Sequence, residues 1–183
     1  MKLSILICTI QARQEMFEKL AYFIQKQIKD PTQVELRYLR DGGDLSIGMK
    51  RQILLEQAAG KYVCYVDDDD MVADYYVMAM LKALELNPDC VGIKGLLIRK
   101  YRCDAQFIHS IQYSGWGEKN GQFYRTPNHL NPIRKSIALQ VGFKDISHGE
   151  DRAYSDLVYP LLKKEVMIEQ PLYYYYPGAT REE

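Results

Sequence analysis

The sequence predicts an α/β fold: a mostly parallel central sheet flanked by helices, followed by a smaller antiparallel region. Two observations lead to this prediction. In the first half of the chain, short β-rich apolar runs alternate with segments whose apolar residues have helical spacing. In the second half, short strand-like segments surround an Asn-Gly pair, which is the strongest short-range signal for a hairpin.

The size and charge of the chain limit its organisation and its partners. A chain of 183 residues is long enough for one well-buried domain, so residues 1–183 are predicted to form a single unit with two halves, residues 1–98 and 99–183. The 24 basic and 24 acidic side chains cancel, which leaves no overall field to draw the protein onto nucleic acid or an anionic membrane. The balance therefore argues against a nucleic-acid partner.

The composition also predicts where the protein works. No apolar segment is long enough to span a bilayer, and the apolar N-terminus is too short for a signal peptide. The cysteines show no C-x-x-C spacing, and Cys8 and Cys64 lie in apolar runs, where a free thiol behaves as a small hydrophobe. These features favour a reducing compartment, and we expect the cytoplasm.

The first elements follow the order strand, helix, strand. Residues 3–8 form a β-rich apolar run, and residues 16–28 carry apolar side chains at the spacing of an amphipathic helix. Pro31 ends this helix, and residues 34–39 predict a second strand. Residues 40–44 then form a turn.

The next elements place acidic residues at strand ends. Ser46 can cap a second helix, which Gly60 ends, and residues 62–66 predict a third strand. In open α/β sheets, ligands bind in the crevice beyond the carboxyl ends of the strands. Asp41 and the run of residues 67–70, which we call the acidic run, both fall at such ends.

The second half of the chain changes pattern. The Asn120-Gly121 pair predicts an antiparallel hairpin between the segments of residues 107–113 and 122–125. The other predicted elements are a helix over residues 73–86, a strand over residues 91–98, a helix over residues 151–163 and a strand over residues 171–177.

The acidic run consists of four consecutive aspartates directly after the third predicted strand. Two carboxylates about 4 Å apart repel by roughly 1 kcal/mol in water, and by more in a crevice of lower dielectric. Hard cations such as Mn²⁺ and Mg²⁺ bind carboxylate oxygens and keep positions for water and nucleotide phosphates. The run therefore predicts a metal-bound phosphate site, and solvated aspartates before a helix are the alternative.

A second acidic pair stands at the start of the last predicted helix. A helix N-terminus favours the ionised form of a carboxyl group, and a transfer reaction needs a base for the incoming hydroxyl. Asp151 is the predicted base and Glu150 is its substitute, with a helix cap as the alternative role. His148 lies beside the pair and is a candidate for contact with the acceptor.

These motifs, taken in order, resemble those of family 2 glycosyltransferases of the GT-A (Rossmann-like) fold, over nearly the whole chain. The segments that carry the resemblance are LSILICT at residues 3–9, LRDGGD at 39–44, GMKRQ at 48–52, YVDDDD at 65–70, GED at 149–151 and PLYYYY at 171–176. The acidic run matches the D-x-D motif of that family, and the GED segment matches its E-D motif. The chain lacks the Q-x-x-R-W motif of processive polysaccharide synthases.

The resemblance implies an inverting transfer of one sugar from a UDP-linked hexose to a hydroxyl acceptor, whose identity the sequence does not show. Residues 1–98 would bind the nucleotide sugar, and residues 99–183 would bind the acceptor. The residues implied are Asp67 and Asp69 for Mn²⁺ or Mg²⁺; Thr9, Arg13, Asp41, Lys50, Arg51, Asp67 and Asp68 for the nucleotide; Asp151, or Glu150, as the base; and Trp116 and His148 for the sugar or acceptor.

Three other functions share part of this pattern. Residues 68–72 fit the D-x-D-x-[TV] nucleophile motif of haloacid-dehalogenase-like phosphatases, although in that family the motif normally opens the chain. A nucleotidyltransferase would also bind a metal through carboxylates but should carry a Gly-rich phosphate loop, and residues 4–13 contain no glycine. A non-catalytic sugar-binding module would bind the ligand without turnover.

Overall fold

The computed structural model describes residues 1–178 and confirms the α/β class. Within these residues, ten strands form one sheet with helices on both faces. The strands are β1 (Leu3–Ile10), β2 (Val34–Asp41), β3 (Tyr62–Tyr65), β4 (Met71–Val72), β5 (Cys90–Arg99), β6 (Arg102–His109), β7 (Gly117–Lys119), β8 (Gln122–Arg125), β9 (Ile133–Arg134) and β10 (Glu165–Tyr175). The helices are α1 (Gln14–Gln27), α2 (Ile47–Gln57), α3 (Tyr76–Leu84), α4 (Lys135–Val141) and α5 (Glu150–Val158).

The parallel part of the sheet places three strand ends side by side. β1 pairs in parallel with β2 on one edge and with β3 on the other. Ile10, at the end of β1, is directly opposite Asp41, at the end of β2. Because parallel strands end at the same edge of a sheet, the acidic run that follows β3 emerges beside them.

The last strand, β10, closes the sheet next to the acidic run. β10 lies parallel to β5 along one edge, whereas β6 pairs with the other edge of β5 in the antiparallel direction. The two-residue strand β9 joins β3 to β5. β10 also pairs with the short β4, where Tyr173 is opposite Val72. The tyrosine-rich end of the chain is therefore part of the sheet beside the predicted site.

The side chains of β1 divide the core between the two faces of the sheet. Leu3, Ile5 and Ile7 belong to a cluster that α1 and α3 cover, whereas Leu6 belongs to a cluster that α2, α4 and α5 cover. Full burial of one such side chain contributes about 1.5–3 kcal/mol. The helical spacing predicted for α1 is confirmed by its buried residues, which are Phe17, Leu20 and Ile24.

The start of α2 is tied to the loop before α5. The Ser46 hydroxyl caps the helix as predicted, because it accepts a hydrogen bond from the backbone N–H of Met49 at 3.0 Å. The same hydroxyl donates to Asp145 at 2.5 Å, and the backbone N–H of Gly48 donates to the carbonyl of Ile146 at 3.0 Å. These bonds fix the loop that leads into α5.

The sequence predicts the wrong hairpin partner for β8 in the second half of the chain. Asn120 and Gly121 do form a tight turn with positive φ values of 54° and 72°, but this turn joins β7 to β8. The segment predicted to pair with β8 in antiparallel is β6, which pairs with it in parallel. The hairpin partner of β6 is β5, through a turn at Lys100 and Tyr101 with φ values of 47° and 63°. That turn carries no glycine or asparagine, so no turn signal marks it in the sequence.

Helix boundaries and one whole helix also differ from the prediction. The helix predicted over residues 73–86 is the shorter α3, and the helix predicted over residues 151–163 ends at Val158 and continues as a 3₁₀ turn over Tyr159–Leu161. Helix α4 was not predicted, because its seven residues bury only Ala138 fully and so show little amphipathic pattern.

Two observations bear on the environment of the protein. In the part of the chain that the structure describes, no helix has both the length and the apolar character needed to cross a bilayer. The four cysteines are free thiols, and Cys103 is the exposed one. The cytoplasmic location stays a prediction.

Gly48 supplies a test of the packing between α2 and the loop before α5. An alanine in a helix is normally about 1 kcal/mol more favourable than a glycine. At Gly48, however, a Cβ would overlap the carbonyl oxygen of Lys144 and approach that of Ile146 to 2.9 Å. We expect Gly48→Ala to lower the free energy of unfolding by about 1–3 kcal/mol, measured by urea denaturation.

Gly115→Ala is the matched control, because a Cβ there meets no atom within 4 Å. This variant should change the free energy of unfolding by less than about 0.5 kcal/mol. An increase in stability for Gly48→Ala would show that helix propensity outweighs the overlap, and the described packing would then be wrong.

Candidate functional site

A cleft of about 620 Å³ opens where the ends of β1 and β3 meet the N-terminus of α5. This is the position that the strand-end rule predicts for a ligand. The predicted site residues that line the cleft are Thr9, Arg13, Lys50, Arg51, Asp67, Asp68, Asp69, His148, Glu150 and Asp151. The fold thus gathers into one cleft most of the candidates that the sequence separates.

Arginine side chains hold the first two aspartates of the acidic run, and His129 lies beside the first of them. Oδ1 of Asp67 accepts a hydrogen bond from Arg51 at 3.0 Å, and Oδ2 of Asp67 lies 3.3 Å from Nε2 of His129. Asp68 is buried, and its Oδ1 accepts a hydrogen bond from Arg13 at 2.8 Å. Oδ2 of Asp68 is buried without a hydrogen-bond partner.

The last two aspartates of the run differ strongly in their contacts. Asp70 is buried, and its carboxylate accepts hydrogen bonds from the Tyr173 hydroxyl at 2.7 Å and from the backbone N–H of Tyr176 at 2.8 Å. The side chain of Asp69 is 22% exposed, and its ion-pair partner is Arg13 at 3.7 Å. Among the described contacts, Asp69 is therefore the least engaged carboxylate of the run.

Negative charge is concentrated unevenly along the run. Burial would raise the pKa of Asp67, but the charges of His129 and Arg51 and their hydrogen bonds hold it well below its ordinary value. Burial and the charge of Asp67 raise the pKa of Asp70 to about 8, and the same two causes raise the pKa of Asp69. Burial and the charge of Asp67 thus disfavour the ionised forms of Asp69 and Asp70.

Arg51 connects the acidic run to α5. Its guanidinium, with a side chain only 5% exposed, donates one hydrogen bond to Asp67 and another to Glu150, the latter at 2.6 Å. The Glu150 side chain is 7% exposed, so this ion pair is shielded from water. A buried set of charges of this kind is stable only while each charge keeps its partner.

Lys50, the neighbour of Arg51, reaches the other strand end. Its Nζ donates to Oδ1 of Asp41 at 2.6 Å and to the carbonyl of Thr9 at 3.2 Å. Oδ2 of Asp41 accepts a hydrogen bond from the backbone N–H of Leu45 at 2.7 Å. Burial would raise the pKa of Asp41, but its hydrogen bonds and the charge of Lys50 lower it. Asp41 therefore lies behind Lys50 and supports the loop at Leu45, which lines the cleft.

The two acidic residues at the start of α5 are not equivalent. Both lie in the first turn, where the helix N-terminus favours a negative charge. Glu150 is buried against Arg51, whereas Asp151 is partly exposed and lines the cleft. Asp151 is thus the carboxylate of the pair that an incoming molecule can reach.

The residues that could hold a divalent cation are carboxylates of the acidic run. In residues 1–178, no group of three or more His, Cys, Asp or Glu side chains is arranged to hold a metal ion. Mg²⁺ is usually bound by one or two carboxylates together with substrate phosphates and water. Asp67 and Asp69 supply such oxygen donors, and the orphaned Oδ2 of Asp68 beside them is a further uncompensated acceptor.

The two residues predicted to contact the sugar or acceptor lie in different places. His148 is in the exposed loop before α5 and lines the cleft. Trp116 does not line the cleft. Its indole N–H donates a hydrogen bond to Thr126 at 3.1 Å. The guanidiniums of Arg125 and Arg152 lie over its ring, 4.3 and 5.0 Å from the ring centre. Trp116 therefore packs against arginines of the protein itself.

Two buried residues at the acidic run carry no signal in the sequence. His129 comes from the segment between β8 and β9, and its other ring nitrogen, Nδ1, has no hydrogen-bond partner. Tyr173 comes from β10, and its hydroxyl accepts a hydrogen bond from the backbone N–H of Asp67 at 3.1 Å while it donates to Asp70. In the sequence, the first is an isolated histidine and the second is one of several adjacent tyrosines.

No family model matches the sequence, and no curated protein matches it. Solved structures do match the fold. TarS of S. aureus, residues 1–349, in complex with UDP-GlcNAc has a TM-score of 0.72 at 18% identity, over 100% of this chain and 60% of the TarS chain. The complex of the same protein with UDP has a TM-score of 0.71 at 17% identity, over 98% of this chain and 62% of the TarS chain. A further crystal structure of S. aureus TarS has a TM-score of 0.69 at 14% identity, over 98% of this chain and 38% of the TarS chain.

These matches show that the chain has the fold of a GT-A-type glycosyltransferase. The chain spans about three fifths of the truncated TarS chain that it matches. The parts of TarS that lie outside the match therefore have no counterpart in this comparison.

Arg51 supplies a test of the buried charge set. We expect Arg51→Met to lower the free energy of unfolding by about 3–5 kcal/mol, because Asp67 and Glu150 would lose their buried partner. The measurement is urea denaturation at neutral pH. The control is Arg102→Met, whose side chain is 84% exposed in its ion pair with Asp104, and its cost should stay below about 1 kcal/mol. Equal losses for the two variants would contradict a buried role for Arg51.

Asp70 predicts a dependence of stability on pH. Its pKa is raised to about 8 in the folded protein, whereas an unfolded chain has an ordinary value of about 3.9. The folded state therefore binds a proton that the unfolded state has lost between these two values. The contribution of Asp70 to stability is fully present below about pH 4 and is lost as the pH rises through 8.

Asp70→Asn removes this proton uptake. We expect the variant to gain stability over the original protein as the pH rises, by at most about 1.4 kcal/mol per pH unit between pH 5 and 7. Urea denaturation in EDTA at several pH values gives the measurement, with Asp156→Asn, whose side chain is 57% exposed, as the control. A difference between Asp70→Asn and the original protein that does not change with pH would contradict the raised pKa.

Proposed function

We propose that the protein is an inverting glycosyltransferase that moves a hexose from a UDP-linked donor to a hydroxyl acceptor, with Mn²⁺ or Mg²⁺ at the acidic run. One observation carries the proposal: a single cleft brings the least engaged carboxylate, Asp69, together with the accessible Asp151 at the start of α5. The fold shared with TarS, which has been solved with UDP-GlcNAc and with UDP, supports the class of donor.

The nucleotide end of the donor is assigned to the ends of β1 and β2. Thr9 lines the cleft there. Nζ of Lys50 donates hydrogen bonds to the backbone carbonyl of Thr9 and to the carboxylate of Asp41. Asp41 in turn holds the loop at Leu45, so it acts on the nucleotide site by shaping that loop. Arg13 is partly exposed beside the acidic run and supplies positive charge close to the phosphates.

The diphosphate end is assigned to the acidic run. Asp67 and Asp69 would hold the cation, which, when bound, neutralises charge on the departing diphosphate. Asp67 stays ionised because Arg51 and His129 hold its pKa low. His129 is thus a positioning residue, since it acts on the reaction through Asp67.

The base is assigned to Asp151. Its carboxylate lies in the first turn of α5 and lines the cleft, where it can take the proton from an acceptor hydroxyl. Attack by that oxygen opposite the leaving diphosphate inverts the configuration at the sugar carbon. The geometry does not favour Glu150 as a substitute base, because its carboxylate is buried against Arg51. Glu150 and Arg51 are positioning residues that fix α5 relative to the acidic run.

Release of UDP from UDP-hexoses tests the proposal directly. We expect the protein with Mn²⁺ to release UDP from at least one of UDP-glucose, UDP-galactose and UDP-GlcNAc. Asp69→Asn and Asp151→Asn should each lower the rate by about 100-fold or more, because each removes a group that acts on the reacting atoms. Asp156→Asn is the control, because Asp156 is an exposed residue near the end of α5, and this variant should keep the original rate.

Each outcome decides a different part of the proposal. Full activity in Asp69→Asn would contradict the metal assignment, and full activity in Asp151→Asn would contradict the base. Binding of UDP without release would favour a sugar-binding module, and release of phosphate from simple esters would favour a phosphatase. In the structure, Asp68, the nucleophile that a phosphatase of that type requires, is buried and held by Arg13.

A further inference from the structure

A second cavity of about 180 Å³ adjoins the cleft at the proposed reaction centre. Asp67, His129, Asp151 and Tyr175 line both spaces. A molecule in the cleft can therefore extend into the second cavity past the acidic run and the proposed base. The volume is that of about six water molecules at roughly 30 Å³ each, which is enough for a small ring.

The walls of this second cavity combine apolar and polar side chains. Leu97, Phe107, Phe123 and Leu130 form the apolar part. Asp70, His109, Asn128 and Arg125 add polar groups, beside the polar residues that the cavity shares with the cleft. Ligand pockets typically have mostly apolar walls with a few polar groups that fix the orientation of the ligand. A sugar ring, which has apolar C–H faces and a rim of hydroxyls, matches both parts.

His109 presents a hydrogen-bond acceptor without a partner. Nδ2 of Asn131 donates to the carbonyl of Val91 at 2.9 Å, so Oδ1 of Asn131 is an acceptor. Nδ1 of His109, at 3.3 Å from that oxygen, must therefore carry the proton. Burial lowers the pKa of His109 to about 3, so the ring is neutral at physiological pH and Nε2 keeps its lone pair. Nε2 is buried and has no hydrogen-bond partner.

Asn128 presents the complementary group. Its Oδ1 accepts a hydrogen bond from the backbone N–H of Leu130 at 3.0 Å, which identifies Nδ2 as the remaining donor. Nδ2 is also buried with no partner within hydrogen-bond distance, and the Asn128 side chain lies close enough to His109 to act on the pKa of that ring. Such buried unsatisfied groups are rare, and each requires an explanation. A hydroxyl can donate one hydrogen bond and accept another, so a single hydroxyl can satisfy both Nε2 of His109 and Nδ2 of Asn128.

We infer that His109 and Asn128 determine donor specificity by binding one hydroxyl of the sugar ring of the donor, an inference that rests on the proposed function. The second cavity touches Asp67 and Asp151, between which the sugar carbon must react. Its volume fits one ring, and the sugar is the terminal group of a nucleotide sugar. A site built to bind a hydroxyl rejects a deoxy analogue strongly, because the buried donor and acceptor are then left unpaired.

The test measures binding of donor analogues by calorimetry in the presence of Mn²⁺. The probes are UDP, then UDP-glucose, UDP-galactose and UDP-GlcNAc, and finally the monodeoxy analogues of the tightest-binding sugar nucleotide. We expect one deoxy analogue to bind at least about 10-fold more weakly than its parent. The affinity for UDP alone measures the binding that does not depend on the sugar.

Two variants remove one half of the hydroxyl site each. His109→Asn keeps an amide N–H that can replace Nδ1 towards Asn131 and deletes Nε2. Asn128→Asp keeps the acceptor for the Leu130 N–H and removes the amide donor. In both variants the penalty for the deoxy analogue should fall to about 3-fold or less, with the affinity for UDP unchanged. Gln106→Asn, an exposed residue of β6 on the opposite face from His109, is the control and should keep the full penalty.

The outcomes separate this inference from the proposed function. Absence of UDP binding by the original protein would contradict the proposed function itself. Binding of UDP together with a deoxy penalty that persists in both variants, or with no penalty for any analogue, would overturn the inference alone and leave water as the occupant. A parallel loss of UDP affinity in both variants would indicate a packing role for His109 and Asn128 and would overturn the inference as well.

Discussion

The acidic run is possible only because cationic side chains reach it from other parts of the fold. Four adjacent carboxylates at the end of a buried strand repel one another, and in a crevice this repulsion exceeds the roughly 1 kcal/mol per pair expected in water. Arg51 holds Asp67, beside which the His129 ring lies, and Arg13 holds Asp68. Asp69 and Asp70 keep raised pKa values, because burial and the charge of Asp67 disfavour their ionised forms. This arrangement of charges is the basis of the proposal that the run binds a cation and a phosphate group.

The placement of Lys50 and Arg51 explains how the fold meets this requirement. Successive residues of an α-helix point about 100° apart, because there are 3.6 residues per turn. Two neighbouring cations of α2 therefore reach different strand ends: Lys50 contacts Asp41, the last residue of β2, and Arg51 contacts Asp67, which follows β3. Arg51 also reaches Glu150, so the N-terminus of α5 and the proposed base beside it are fixed relative to the acidic run. One helix thereby aligns the two ends of the proposed donor site with the base.

Local patterns in the sequence were sufficient to predict the parts of the fold that depend on local interactions. The alternation of strands and helices, the Ser46 cap and the position of the acidic run all follow from short-range spacing. The strand pairing of the second half could not be predicted, because β6 pairs with β5 through a turn of two residues, Lys100 and Tyr101, that give no turn signal. In the site, the paired roles of Arg51 and Glu150 and the contacts of His129 depend on residues distant in the sequence, which only the folded chain brings together.

The proposed function requires the acidic run to bind a divalent cation together with a nucleoside diphosphate. A crystal structure of the protein with UDP and Mn²⁺, with the anomalous scattering of manganese measured, tests this claim most directly. We expect a manganese peak at Asp67 and Asp69, in contact with the diphosphate, and uridine between Thr9 and the loop at Leu45. UDP bound in the cleft without manganese at the acidic run, or no nucleotide in the cleft at all, would contradict it.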